Sequence, residues 1–137
     1  MRKIFVAALV AVVGCGSGTE PEVSLQGAFL DGPIEVTLQH GEDRVVAGGI
    51  RVSFTAVLED SRCPATVVCI WEGNAKVEVG IGVGTGSMHA LRLNTSLEPN
   101  SAVWNDIRVT LLEVAPSPAS HSIPADDYAV TLRLESS

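Results

Sequence analysis

From residue 26 to the end of the chain, apolar and polar residues alternate in short runs with a period of two. Ile34, Val36 and Leu38 alternate with Glu35, Thr37 and Gln39, which predicts a half-buried strand. His40-Gly41-Glu42-Asp43 reads as a turn, with a short strand at Arg44-Val45-Val46 and a second turn at Ala47-Gly48-Gly49. The longest clean alternation then places Ile50, Val52, Phe54, Ala56 and Leu58 on one face. Ala75, Val77, Val79, Ile81 and Val83 repeat the pattern, and His89, Leu91 and Leu93 mark a returning strand. Leu97 to Asp106, which carries Trp104, reads as a long connection. Ile107, Val109 and Leu111 begin another strand, and the Leu111-Leu112 pair breaks the alternation as a bulge would. Pro116 and Pro118 cannot donate to a ladder, so the chain must leave the sheet there. The last strand turns Tyr128, Val130, Leu132 and Leu134 inward.

These elements predict an all-β fold. About seven short strands separated by turn signals imply an antiparallel β-sandwich, immunoglobulin-like, or a small barrel. Residues 26–137 suffice for one such domain.

The first 25 residues follow a different pattern. Met1-Arg2-Lys3 is positive, and Ile4 to Val13 is an unbroken apolar run of ten residues. As a helix this run spans about 15 Å, half a hydrocarbon core, so it fits a secretory signal and not a membrane span. Val12-Val13-Gly14-Cys15 resembles the lipobox of bacterial lipoproteins, with Val12 in place of the more usual leucine. The resemblance implies cleavage between Gly14 and Cys15, a diacylglyceryl thioether on Cys15 and acylation of the new amino terminus. Several acyl chains, each methylene contributing about 0.8 kcal/mol, would hold a domain on a bilayer durably where one chain would not. Residues 15–25 would then be the lipidated cysteine and a Gly/Ser-rich tether. Gly16 is not the aspartate that retains lipoproteins on a Gram-negative inner membrane. The sorting rule therefore implies the periplasmic face of the outer membrane there, and otherwise the outer face of the cell membrane.

Loss of the signal changes the charge. Of the 9 basic residues Arg2 and Lys3 leave with it, so that 7 remain against 16 acidic ones and the formal charge moves from −7 to −9. So acidic a chain argues against nucleic acid and against electrostatic attraction to anionic lipid. It leaves the bilayer, through acyl chains on Cys15, as the expected partner, with an envelope protein or a small ligand as a further one.

The densest chemistry lies between the two longest alternations, at Glu59 to Asn74, EDSRCPATVVCIWEGN. With Cys15 lipidated, Cys63 and Cys69 form an even pair in an oxidising compartment. Their C-x5-C spacing is neither the C-x-x-C of oxidoreductases nor a common zinc spacing, and it predicts a structural disulfide. A ring of seven residues gains roughly 2.4 kcal/mol in the loop-entropy model. Asp60, Arg62, Trp71 and Glu72 around it carry two readings. Asp60 and Arg62 pair while Trp71 covers the disulfide and the sheet end, or the loop is a recognition surface presenting Trp and Arg as anchors.

No catalytic set emerges. His40, His89 and His121 lie in separate segments, and no serine sits in a G-x-S-x-G setting. Gly82 to Ser87 lacks both phosphate-loop spacings and reads as a hairpin turn. Asp126-Asp127 lacks the calcium-loop pattern. No cofactor is implied, and the expectation is a non-enzymatic binding or structural module of the cell envelope. The alternative is a lipoprotein that binds a small ligand or metal.

Phe54-x-x-Val57, then Glu-Asp-Ser-Arg-Cys-Pro, then Cys69-Ile-Trp-Glu-Gly-Asn-Ala75 resembles a group of small bacterial lipoproteins. These share F-x-x-V-x-E-D-S-R-C-P…C-x-W-x-G-x-A with a later V-x-P-x-P and Y-x-V-x-L. Here the later pieces are Val114 to Pro118 and Tyr128 to Leu132. The resemblance implies an exported β domain on a lipid anchor and brings no activity with it.

Overall fold

The computed structural model describes residues 30–119 and 122–137. The signal segment 1–14, Cys15 with the tether, and His121 lie outside the described residues.

The alternating segments form eight strands: β1 (Ile34–Gln39), β2 (Asp43–Val45), β3 (Ile50–Asp60), β4 (Ala75–Val83), β5 (His89–Asn94), β6 (Ser101–Trp104), β7 (Ile107–Ala115) and β8 (Ala129–Ser136). They make two four-stranded antiparallel sheets, ordered β1-β8-β7-β6 and β2-β3-β4-β5. Within each sheet, strands that neighbour in sequence are hydrogen-bonded neighbours, and β8 returns to close on β1. The sandwich is therefore a flattened up-and-down meander, without the Greek-key crossing of the immunoglobulin-like alternative. Most inward residues are Val, Ile and Leu, with Phe54 fully buried at the centre. Close-packed β-branched side chains suit the ladder because their restricted rotamers lose little on ordering.

Three departures from strict alternation matter. β6 forms inside the stretch that reads as a connection, joined to β7 by a two-residue turn at Asn105-Asp106, both with positive φ (45° and 63°). That mirror-type turn matches strand twist and is tolerated by Asn and Asp. In β7 the register shifts between Leu111 and Glu113, which ejects Leu112 to the surface as the doubled leucine predicts. In β3 the register shifts twice, between Phe54 and Ala56 and between Val57 and Glu59. Thr55 and Leu58 are the extra residues, so Leu58 turns outward and not into the core as its spacing predicts. Two bulges in one strand end add twist and bend. They carry the last turn of β3 toward the other sheet.

The domain has two ends. The β4–β5 hairpin, the Asn105-Asp106 turn, Leu30 and the end of β8 share one, where Ser136 Oγ donates to Leu30 O at 3.4 Å. The 61–74 loop, the 95–100 connection and residues 116–119 and 122–128 share the other.

Phe54→Ala would remove the central aromatic ring and leave a cavity between the sheets. The expected loss is about 3–5 kcal/mol of stability, read as a lower denaturant midpoint.

Candidate functional site

Gly73 and Asn74 bring the stems of the 61–74 loop together. Ser61 N donates to Asn74 O at 2.8 Å, and Asn74 N donates to Ser61 Oγ at 3.1 Å. A Cβ on Gly73 would sit 1.7 Å from Ser61 O, so no other residue fits this closure without moving backbone. Asn74 is buried, and its amide donates to Asn94 Oδ1 at 2.9 Å while its oxygen accepts Ser96 N–H at 3.1 Å. Asn94 in turn donates to Pro99 O at 3.1 Å. The base of the loop is thus fixed to the 95–100 connection by satisfied buried polar groups.

Above this base the chain turns across to the other sheet. Arg62 grips Asp60 with two parallel bonds, Nε to Oδ1 and Nη2 to Oδ2, each 2.8 Å. Arg62 N–H adds a bond to Oδ1 at 3.2 Å, and Tyr128 Oη donates to Oδ2 at 2.8 Å. The carboxylate therefore accepts four hydrogen bonds, its full lone-pair capacity. Arg62 also donates from Nη1 to Val114 O and, at 3.1 Å, from Nη2 to Pro116 O. The two charged side chains are only 14% and 13% exposed. Val114 belongs to β7, and Pro116 and Tyr128 to the connection that leads from β7 into β8. One guanidinium thus ties the end of β3 to the opposite sheet.

The electrostatics follow from these contacts. The hydrogen bonds from Arg62 hold the Asp60 carboxyl below its ordinary value, against the opposing effect of burial, with Tyr128 adding to the lowering. The bond to Asp60 raises Arg62. Burial, with the Asp60 bond second, raises Tyr128 above an ordinary phenol. Asp60 is a saturated carboxylate that holds its charge, which makes it a structural acceptor and a poor general base.

Cys63 and Cys69 are bonded, with Cα atoms 5.9 Å apart. The ring they close is fixed at its start, where Ala65 N donates to Pro118 O at 3.2 Å and Val67 N to Pro64 O at 3.1 Å. Beyond these bonds the loop turns outward. Val68, Ile70 and Trp71 are 101%, 93% and 82% exposed, and Val67 is over half exposed.

The structure thus divides the four residues singled out around the bridge. Asp60 and Arg62 pair, as one reading expects, but they point inward and are occupied by the fold. Trp71 and Glu72 point outward. Trp71, exposed to solvent, does not pack over the disulfide or the sheet end, where Tyr128 and the Arg62 guanidinium make the contacts to Asp60 and Val114. Sequence reasoning missed Tyr128 as a partner of Asp60, the Asn74–Asn94 pair, and Val67, Val68 and Ile70 as surface. For the valines and isoleucine a signal existed: VVCIW has no alternation and lies inside a short disulfide ring and its exit.

Beside the node an open cleft of about 430 Å³ is lined by His40, the bulged end of β3 from Ala56 to Asp60, Ile123, Ala125 and Tyr128. The His40 ring meets Phe54 edge-on at 5.6 Å, and its Nδ1 lies 3.4 Å from Asp126. The volume is within the range of small-molecule sites. Among the described residues no group of three His, Cys, Asp or Glu is gathered to hold a metal ion.

Comparison with protein-family models, with curated proteins and with solved structures found no match for this chain.

Arg62→Ala would strand a mostly buried carboxylate and two carbonyls, and about 3 kcal/mol of stability should be lost. Tyr128→Phe removes one bond to a charged group and should cost about 1.5–3 kcal/mol. Denaturant titration of the two variants beside the parent checks this ranking. The acid limb is a separate test. Because the folded Asp60 pKa is depressed below 3.8, its stabilisation is present above that pH and is lost as pH falls through the lowered value. The stability gap between the parent and Asp60→Asn should therefore narrow below about pH 4, and a gap independent of pH there would contradict the node.

Proposed function

We propose that this chain is an exported lipoprotein held by acyl chains on Cys15 in the bilayer of a bacterial cell envelope. Its sandwich acts as a non-enzymatic binding or structural module, with the outward part of the 61–74 loop as its contact surface. The observation that carries the reading is the cysteine pairing. Cys63 and Cys69 are bonded to each other, so of three cysteines only Cys15, which follows Val12-Val13-Gly14, remains for lipid. A disulfide suits an oxidising compartment beyond the cytoplasm, and the positive start with its ten-residue apolar run supplies the export signal. Gly16 after the lipidated residue favours the periplasmic face of the outer membrane in a Gram-negative cell, or the outer face of the cell membrane otherwise.

A second reading rests on the cleft beside Tyr128. Its mixed lining of His40, Tyr128, Ile123 and the bulged end of β3 would suit a small organic ligand, and the protein would then be a ligand-binding lipoprotein.

Metabolic labelling with palmitate in a bacterial host, followed by mass spectrometry of the amino-terminal peptide, tests the anchor. The parent should carry label and a diacylglyceryl mass on Cys15 and should sediment with membranes. Cys15→Ser should lose all three. A free Cys15 thiol on the exported protein would refute the reading.

A further inference from the structure

Residues 67–71, Val-Val-Cys-Ile-Trp, are five in a row without a charged side chain, and four of them are large apolar residues exposed to solvent. Together these four present on the order of 500 Å² of apolar surface, within the range of the largest patches on monomeric proteins, which are often functional. Nothing in the loop lets them fold back. The disulfide closes the ring, Gly73 and Asn74 close the base, and Arg62 turns the strand end away to the opposite sheet.

We propose that this tip docks into the headgroup region of the bilayer to which the chain is tethered; the proposal rests on the lipid-anchor reading of Cys15. Shape and area favour a bilayer over a second copy or another protein. A standard protein interface needs about 800 Å² from each partner, with a polar rim around its core. The tip is a single protruding loop of smaller area. A fluid interface conforms to a convex tip and requires no matching surface. Tryptophan, with an apolar body and one N–H, is enriched at that depth, and aliphatic neighbours enter the acyl boundary beneath it by about 5–10 Å. The disulfide has already restricted the ring, so docking orders little more chain.

Charge narrows the surface. Glu72 adjoins the tip, and the mature chain carries a formal −9, so the contact is apolar and the headgroups it suits are zwitterionic.

The chain length permits it. The described domain begins at Leu30, beside Ser136, at the end opposite the loop. β8 covers about 24 Å between those ends. Fourteen residues separate Cys15 from Leu30, and the fifteen Cα-to-Cα steps between them reach about 50 Å when fully extended. The tether can therefore pass along the domain and let the tip meet the same leaflet. A tether of this length places the tip at roughly millimolar effective concentration, so a modest partition is enough. The domain would then be held at two points, through lipid at one end and through Val68, Ile70 and Trp71 at the other.

The test uses residues 15–137, which contain all eight strands and the whole core. The Cys15 thiol is coupled to a maleimide-headgroup lipid in phosphatidylcholine/phosphatidylethanolamine vesicles. Biological acylation is not required, so failure of the Cys15 reading and failure of docking are separate results. With Trp104→Phe, emission comes from Trp71 alone. It should shift to the blue and fall roughly twofold when the acyl chains carry bromine, because the indole lies at the interface. Added salt should not reverse the change. Val68→Asp with Ile70→Asp, at exposed positions that leave the core untouched, should restore solvent-like, unquenched emission. If Trp104 is kept, the difference in emission between chains with and without the two aspartates gives the same readout. Equal Trp71 emission in plain and brominated vesicles would overturn the proposal. So would tip-dependent dimers in sedimentation of the uncoupled chain, abolished by the two aspartates, since the surface would then belong to a second copy.

Discussion

The end of the sandwich that carries the candidate surfaces depends on one carboxylate. Two sheets packed face to face attract through apolar burial, which is strong but indifferent to direction. Asp60 supplies direction. It sits at the last residue of β3 in one sheet and accepts from Tyr128, which leads into β8 in the other, while Arg62 reaches from the same acid to the carbonyls of Val114 and Pro116. The net stability of such a pair over an apolar replacement is small, because desolvation offsets attraction. Its consequence is geometric: with every acceptor site filled, the strand end has one permitted direction, and the loop that follows inherits it.

The loop then separates two kinds of residue that are interleaved in sequence. Polar and small ones build the mount: Ser61, Arg62, Gly73 and Asn74 close the base and brace it against Asn94 and the far sheet. Apolar ones, which ordinarily seek the core, are left outside. The core is complete without them, with Phe54, Val77, Leu132 and their neighbours almost fully buried. The ring between Cys63 and Cys69 keeps the tip from collapsing onto the sheet. Exposure of Val68, Ile70 and Trp71 is thus a product of constraints on both stems.

Strands announced by alternation were readable in the sequence wherever local spacing decides the outcome, as in β1, β4 and β8. The bulge at Leu112 was readable for the same reason. β6 was not, because Ser101-Ala102-Val103-Trp104 is short and only half-buried. The cue was the Asn105-Asp106 dipeptide, whose left-handed conformation makes a two-residue hairpin, and not the alternation. Leu58 was misplaced because the extra residue at Thr55 shifts the strand by one, and a shift of one residue exchanges the faces. At the site, the Asp60–Arg62 pair was legible since only Ser61 separates them. Tyr128, 68 positions away, was not. Its hydroxyl makes the contact to Asp60 at the sheet end that local reasoning had Trp71 cover, and only the closure of one sheet on the other reveals that.

Bulges also explain why the cleft and the apolar tip share one end. The extra Thr55 and Leu58 bend the end of β3, and its residues from Ala56 to Asp60 line the cleft together with His40, Ile123 and Tyr128. The same bend brings Asp60 to Tyr128 and so sets the loop. Cleft and tip are two results of one distortion, at the end of the domain farthest from where its chain enters. Connections at a sandwich end can vary while the sheets stay fixed, and in this chain the 61–74 loop is stapled twice, by sulfur and by a part-buried ion pair. A loop made that rigid, yet tipped with side chains that water disfavours, is built to present them.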